Sequence, residues 1–355
     1  MKLLKELTNI NGKKILLRAD FDIPVENGQI MEKFRIIKQK ETLDYLLNNG
    51  AKVVLMAHIS AVDSFSSILS QLETILGLKI DFIEKIENIQ AFLSSDKQIG
   101  LLDNIRKFDG EESNDQALAS NISKGFDYYV NNAFAVSHRN HMSVSAITKF
   151  LPSYAGLQLE KEIFNLSLAM DSPKEGKVVI IGGAKTESKV PVIRKFIGKC
   201  DKILIGGVVA NDFLKLKGTD VGESKVDENV EELFSGLDIN SPELVIPSDF
   251  NISENKILDI GPNTIQEFKK IISEAKMIIW NGPMGKFEEN EFSAGTSAVA
   301  EAVAACSHSI IGGGDTVSAI DKLGLLNKYS FVSTGGGAML EFLAGNNLPG
   351  ISALE

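Results

Sequence analysis

A chain of 355 residues, 44% hydrophobic and 24% charged, is long enough to bury a large core, and its length favours two domains. Its net charge of −10 and pI near 5.1 exclude a nucleic-acid binder and a protein held on anionic membranes, so any anionic ligand must be captured by a local basic cluster against the global field. No apolar run reaches the ~18 residues of a membrane span, residues 1–14 lack a signal-peptide core, and Cys200 and Cys306 have no CxxC spacing. The cysteines suit thiols of a reducing cytosol better than a disulfide or zinc site.

Strand-like runs alternate with helix-like stretches. The apolar run 14–17 hands over to Arg18-Ala19-Asp20-Phe21-Asp22-Ile23-Pro24, a polar strand end and turn. Over 34–48, Phe34, Ile37, Leu43, Leu46 and Leu47 recur at helical spacing, and Gly50 supplies a stop. The run 52–57 predicts a second strand with His58 just past its end. Helix is expected over 64–77, strand over 79–83 and a short helix over 86–93. The strand 99–102 leads into Asn104-Ile105-Arg106, and 127–130 leads into Asn131-Asn132-Ala133-Phe134. This alternation predicts a parallel sheet covered on both faces. Asp20, His58, Arg106 and Arg139 fall at the C-terminal ends of these strands, the edge where open α/β sheets bind ligands. With Arg35 they suggest a pocket for phosphate or carboxylate, because arginine offers a bidentate fork.

Residues 152–170 read as a helix carrying the chain between two domains, closed by Asp171-Ser172-Pro173. The alternation then restarts. The strand 177–181 ends in Gly182-Gly183-Ala184-Lys185, with Lys189 one turn further on, and 202–205 ends in Gly206-Gly207. A short strand over 244–246 precedes Pro247-Ser248-Asp249, and 277–280 ends in Asn281-Gly282-Pro283-Met284-Gly285. The runs 309–311 and 329–332 each feed a glycine triplet, Gly312-Gly313-Gly314 and Gly335-Gly336-Gly337. Glycine permits φ > 0 and close approach of backbone N–H groups to a phosphate. Asp315 is placed to hold a divalent cation on that phosphate, and Thr316 to cap the following helix. One triplet alone reads equally well as a turn that merely packs. Several glycine-bearing strand ends on one sheet edge describe a nucleotide pocket lined by backbone. GxxxxGK[ST], an early GxGxxG and the HRD and DFG pair are absent, which removes Walker-type NTPases, dinucleotide binders and protein kinases.

The segments 18–24, 104–106, 131–134 with Ser137-His138-Arg139, and 182–185 resemble those of phosphoglycerate kinases. So do Asp259-Ile260-Gly261-Pro262, the run 280–288, 312–316 and 333–338. The resemblance covers nearly the whole chain in order. It implies an α/β protein of two doubly wound parallel-sheet (Rossmann-like) domains joined by a long helix, with a hinge and cleft between them. Residues 1–152 would form the phosphoglycerate-binding domain with 341–355 packing back on it, 153–170 the interdomain helix, and 171–340 the nucleotide-binding domain. The implied reaction is reversible phosphoryl transfer between 1,3-bisphosphoglycerate and Mg-ADP, giving 3-phosphoglycerate and ATP, in a cytoplasmic monomer without nucleic-acid or membrane partners. Asp20, Asp22, Arg35, His58, Arg106 and Arg139 would bind phosphoglycerate. Arg35, Lys185, Gly313 and Gly336 would be catalytic. Lys185, Lys189, Gly206, Gly207, Asn281, Pro283, Glu288, Gly312, Gly313, Gly314, Asp315 and Thr316 would bind nucleotide, with Asp315 toward Mg2+. Both reacting oxygens are already ionised, so catalysis reduces to positioning and charge neutralisation. Substrates on separate domains would require closure.

The chain departs from that pattern in the first half. His-Leu-Gly-Arg-Pro is His58-Ile59-Ser60-Ala61-Val62 here, and the following loop is shortened. Asp-Phe-Asn is Asp20-Phe21-Asp22, the family's Asn-Asp is Asn131-Asn132 with Ala135 replacing a glycine, and a third glycine after Gly207 is Val208. Losing one charge-assisted contact costs on the order of 1.5–3 kcal/mol. Ala61 and Asp22 therefore keep two alternatives open: a related acyl-phosphate kinase with a different acceptor, and a non-catalytic nucleotide-binding homologue.

Overall fold

The computed structural model describes all 355 residues. They form two compact units, Met1–Ile163 with Asn347–Glu355, and Phe164–Asn346.

The first unit is built on β1 (Lys14–Arg18), the small hairpin β2 (Val25–Glu26) and β3 (Gln29–Ile30), α1 (Phe34–Asn48), β4 (Lys52–Met56), α2 (Leu69–Leu76) and β5 (Asp81–Ile83). It continues through α3 (Ile89–Ser94), β6 (Ile99–Leu102), α4 (Gln116–Ser123), β7 (Tyr128–Asn131) and β8 (Ser153–Ala155). Six strands pair in the order β5-β6-β4-β1-β7-β8, every pair parallel. The central strands β1 and β4 are apolar and buried over Ile15–Leu17 and Val53–Met56, as a sheet covered on both faces requires. One core of Leu, Ile, Val and Phe side chains runs beneath α1 and α2.

The expected helix over 152–170 starts later than its apolar spacing suggests. Ser153–Ala155 is an edge strand paired parallel with β7, and α5 runs only over Leu157–Asp171. Gly156 makes the switch: its N–H donates to Asn131 O, and a Cβ there would strike the Asn132 side chain.

The second unit contains β9 (Lys177–Ile181), α6 (Thr186–Phe196), β10 (Lys202–Ile205), α7 (Gly207–Leu216), α8 (Val230–Leu233) and β11 (Leu244–Val245). The hairpin β12 (Phe250–Ser253) and β13 (Lys256–Ile260), then α9 (Pro262–Glu274), β14 (Met277–Asn281) and α10 (Ala294–Ala304) follow. The unit closes with β15 (Ser309–Gly312), α11 (Gly314–Lys322), β16 (Phe331–Val332) and α12 (Gly337–Ala344). A last helix, α13 (Pro349–Ser352), belongs to the first unit, where the Gly350 N–H donates to Ser137 O and Asn131 Nδ2 to Gly350 O. The second sheet has the order β11-β10-β9-β14-β15-β16, again parallel throughout. Its central strands β9 and β14 are buried at every residue.

In each sheet the chain first winds to one side of the opening strand and later to the other. The reversals fall between β1 and β7 and between β9 and β14, and the crevice outside such a pair of strand ends is where open α/β sheets take ligands. No helix is long and apolar enough to cross a membrane.

Candidate active site

In the first unit the strand ends carry a chain of polar side chains around Arg18. Although a strand-end arginine usually faces water, Arg18 is buried. Its Nε donates to Ser143 Oγ at 2.8 Å, its Nη1 to Ala19 O at 2.6 Å, and its Nη2 meets His58 Nδ1 at 3.2 Å. Arginine has no acceptor, so His58 Nδ1 must accept and the imidazole proton sits on Nε2. Nε2 lies 3.2 Å from Asp22 Oδ2. Burial pushes the His58 pKa down to about 4 against the pull of Asp22, so the ring is neutral at pH 7. Burial also pushes the Asp22 carboxyl up, but the nearby His58 ring and the hydrogen bond from the Ser60 N–H outweigh it and hold Asp22 below the usual carboxylate range.

Asp20 is fully buried and its carboxyl is raised, by burial first, with Arg35 and Arg18 opposing. Arg35, in the first turn of α1, donates from Nη1 to Asp22 O at 2.6 Å. Arg106 sits just after β6, where the Asn104 side chain accepts its backbone N–H at 3.3 Å. Burial and then the neighbouring Arg139 lower the Arg106 pKa, because both desolvation and a like charge disfavour the protonated form. The same forces, burial followed by Arg139 and Arg106, bring His141 to about 4. Ser143, whose Oγ donates to Glu111 Oε1 at 2.6 Å, anchors the far end. The structure thus gathers Asp20, Asp22, Arg35, His58, Arg106 and Arg139 at one sheet edge. Ala61 is exposed there and presents only a methyl group.

In the second unit the glycine turns are stitched to one another by backbone. Gly183 N donates to Pro283 O at 2.7 Å, Gly207 N to Met284 O at 2.9 Å, and Val208 N to Gly183 O at 3.0 Å. Gly207 has φ +59°, and a Cβ on it would lie 2.5 Å from Gly183 N. Helices α6, α7, α11 and α12 begin here, and none has a side chain capping its first turn. In α7 the first two N–H groups are taken by Met284 O and Gly183 O, whereas the leading N–H groups of α6, α11 and α12 are left for another acceptor, the arrangement that binds anions. Thr316 does not cap α11. Gly313 occupies the N-cap position at φ +99°, while Thr316 lies inside the helix, buried, and accepts the Gly282 N–H at 2.7 Å.

A cavity of about 420 Å³ opens beside these turns, walled by Gly183, Gly207, Pro283, Glu288 and Asp315 together with apolar Val208, Ile257, Leu258 and Met284. Lys189 is buried, and a Cβ on Gly183 would come within 3.0 Å of its Nζ. Burial brings the Lys189 pKa down to about 8, against the pull of Asp315. Lys185 is exposed at the N-cap of α6 and lines a neighbouring groove with Arg194 and Asp227. Gly206 and Gly313 lie in the turns, Asn281 and Gly312 at the ends of β14 and β15, and Gly314 and Thr316 in the first turn of α11, none of them in the cavity wall. Gly336, N-cap of α12, stands against the Gly313 backbone.

Sequence reasoning missed the apolar wall from β13, because the hairpin 250–260 was not anticipated. It quoted Asp259 within a motif but gave it no place in the site, and Asp259 is a buried cavity residue whose carboxyl burial lifts to about 6 against N–H donation from Gly295 and Ile260. No group of three or more His, Cys, Asp or Glu side chains converges to cage a metal. A lone exposed carboxylate, Asp315, in the first turn of α11 fits Mg2+, which takes one or two protein carboxylates and completes its shell with phosphate and water.

Comparison with known proteins adds a consistent result. The family model described as phosphoglycerate kinase matches residues 4–346. A curated phosphoglycerate kinase from Prochlorococcus marinus (strain MIT 9515) is 40% identical over 98% of this chain and 97% of its own length. One from Herpetosiphon aurantiacus is 40% identical over 97% of each. Among solved structures, the phosphoglycerate kinase of Pyrococcus horikoshii OT3 superposes with a TM-score of 0.89 at 30% identity, covering 100% of this chain and 98% of that one. The Coxiella burnetii phosphoglycerate kinase gives 0.83 at 31% identity, over 98% and 97%.

Proposed function

The chain belongs to the phosphoglycerate kinase family, and from that premise we propose how its own residues divide the work of moving a phosphoryl group between 1,3-bisphosphoglycerate and ADP. The enzyme is a phosphotransferase with ATP and ADP as substrates. The cluster of Asp20, Asp22, Arg35, His58, Arg106 and Arg139 binds the phosphoglycerate. The glycine turns, Lys189, Asn281 and Glu288 bind the nucleotide. The observation that carries the second assignment is the gathering of three open helix N-termini, those of α6, α11 and α12, around the glycine turns with a buried lysine beside them.

In the ATP-forming direction an ADP β-phosphate oxygen attacks phosphorus as the bond to the carboxyl oxygen breaks. In reverse the carboxylate attacks the γ-phosphorus. Each nucleophile is already anionic at pH 7, so no residue need remove a proton, and neutral His58 is not asked to. The demand is charge neutralisation around the transferring group and exclusion of water. Arg35 and Lys185 supply cations, and the N–H groups near Gly313 and Gly336 supply donors that cost no reorganisation. Mg2+ on Asp315 would neutralise phosphate oxygens of the nucleotide when bound. Two free thiols, Cys200 buried and Cys306 half-buried, support a reducing, cytoplasmic setting, and we take the working form to be a monomer.

The test is a steady-state assay consuming ATP with 3-phosphoglycerate, coupled to reduction of the acyl phosphate formed. Turnover that requires both substrates supports the assignment. ATP hydrolysis indifferent to 3-phosphoglycerate would oppose it.

A further inference from the structure

The loop after β4 carries Ser60, which none of these roles uses. Its backbone N–H donates to Asp22 Oδ1 at 2.8 Å, and its Oγ accepts from Arg106 Nη1 at 2.9 Å. Ser60 therefore links the Arg18–His58–Asp22 chain to Arg106. The remaining nitrogens of Arg106 differ sharply. Nε lies 3.5 Å from Glu112 Oε1, a carboxylate 66% exposed, whereas Nη2 is buried with no partner. A buried guanidinium N–H without an acceptor calls for a ligand that brings one.

We infer that Ser60 is a positioning residue of the acceptor site: its hydroxyl fixes the Arg106 guanidinium so that Nη2 is the donor left for the anionic substrate. The inference rests on the reading of this cluster as the phosphoglycerate site. Without the hydroxyl, the carboxylates left near Arg106 are Asp22, whose oxygens already face His58 and the Ser60 N–H, and the exposed Glu112, whose pull is toward solvent, where an ion pair holds little. Ala61 provides no second cation in the loop, so the orientation of Arg106 matters more than it would in a pocket with charge to spare. Asp22 completes the device. By accepting the Ser60 N–H it holds the loop backbone that aims the hydroxyl.

The experiment is steady-state kinetics of the full-length Ser60→Ala and Ser60→Thr variants, with each substrate varied in turn. Removing one hydrogen bond to a charged group predicts a KM for 3-phosphoglycerate raised roughly tenfold, with kcat and the KM for ATP changed less than about twofold. Ser60→Thr, which keeps the hydroxyl, should restore the parent KM. In an Arg106→Lys background, Ser60→Ala should add nothing further, because the guanidinium it positions is gone. An unchanged KM for 3-phosphoglycerate in Ser60→Ala would overturn the inference. So would a rise in both KM values accompanied by a lower melting temperature, which would mark Ser60 as a residue of the fold alone. A parent enzyme that leaves 3-phosphoglycerate untouched refutes the functional reading and the inference with it. An active parent matched by its Ser60→Ala variant refutes the inference alone.

Discussion

Thr316 Oγ1 accepts the backbone N–H of Gly282 at 2.7 Å, tying the turn after β14 to the first turn of α11. Both residues are buried, so the hydroxyl is the acceptor that a water-excluded amide requires. Thr316→Val keeps the shape and removes that acceptor. It should cost about 1–3 kcal/mol of stability, the penalty of an unsatisfied buried N–H, while Thr316→Ser stays close to the parent. Denaturant melts of the two variants check this, and a Thr316→Val melt matching the parent would show that the bond carries no load.

Gly207 and Gly77 separate two costs. Both hold positive φ, +59° and +69°, but a Cβ on Gly77 meets open space whereas one on Gly207 lies 2.5 Å from Gly183 N. Gly77→Ala should lose only the left-handed penalty of about 1–2 kcal/mol. Gly207→Ala adds an overlap between two backbone turns and should lose a further ~1–3 kcal/mol, together with nucleotide affinity. Paired melts and ADP titrations of both variants measure the difference. Equal losses would mean the turns have room to separate.

His58 gives the pH dependence. Its folded pKa is lowered to about 4 from an ordinary 6.5. Between those values the unfolded chain binds a proton that the native state refuses, so the contribution is fully present above pH 6.5 and is lost as pH falls toward 4. Relative to His58→Gln, the parent should lose about 1.4 kcal/mol per pH unit across that window. Carbon-13 NMR of the imidazole checks the cause directly. A His58 titrating near 6.5 would contradict the buried, neutral ring.

Much of this arrangement was legible in the residues, and the parts that were not share a physical reason. The stretches Val178–Ile181 of β9 and Met277–Trp280 of β14 are unbroken apolar runs with glycine close behind, a pattern set by burial on both faces and therefore local. Ser153–Ala155 is three residues at a sheet edge, too short to show a period and adjacent to a true helix. The hairpin β12–β13 turns at Glu254 and Asn255, both at positive φ without a glycine, so the usual turn signal was missing. With it went Ile257, Leu258 and Asp259 of the cavity. Nothing in the sequence marked Arg18 as buried, because its partners, Ser143 and His58, come from distant parts of the chain. The expected cap at Thr316 failed because Gly313 took the N-cap conformation instead.

Ala61 tests the departure in the acceptor loop. It is exposed beside Ser60 and Arg106, and Ala61→Arg would return a cation to the loop. The expected gain is roughly five- to tenfold in KM for 3-phosphoglycerate. A variant no better than the parent would show that Arg106 and Arg139 already satisfy the substrate.

Lys185, exposed at the start of α6, should act on the transition state more than on binding. Lys185→Ala is expected to lower kcat about 10²- to 10³-fold, the usual effect of removing one charge-stabilising donor, while ADP affinity measured by calorimetry changes much less. Affinity lost in step with kcat would make Lys185 a binding residue only.

The most direct measurement is a rapid-quench single turnover with γ-labelled ATP and excess 3-phosphoglycerate. The account predicts that label passes straight to the acyl phosphate and that none appears as inorganic phosphate on the same timescale. Label released to water at the same rate with or without 3-phosphoglycerate would contradict it.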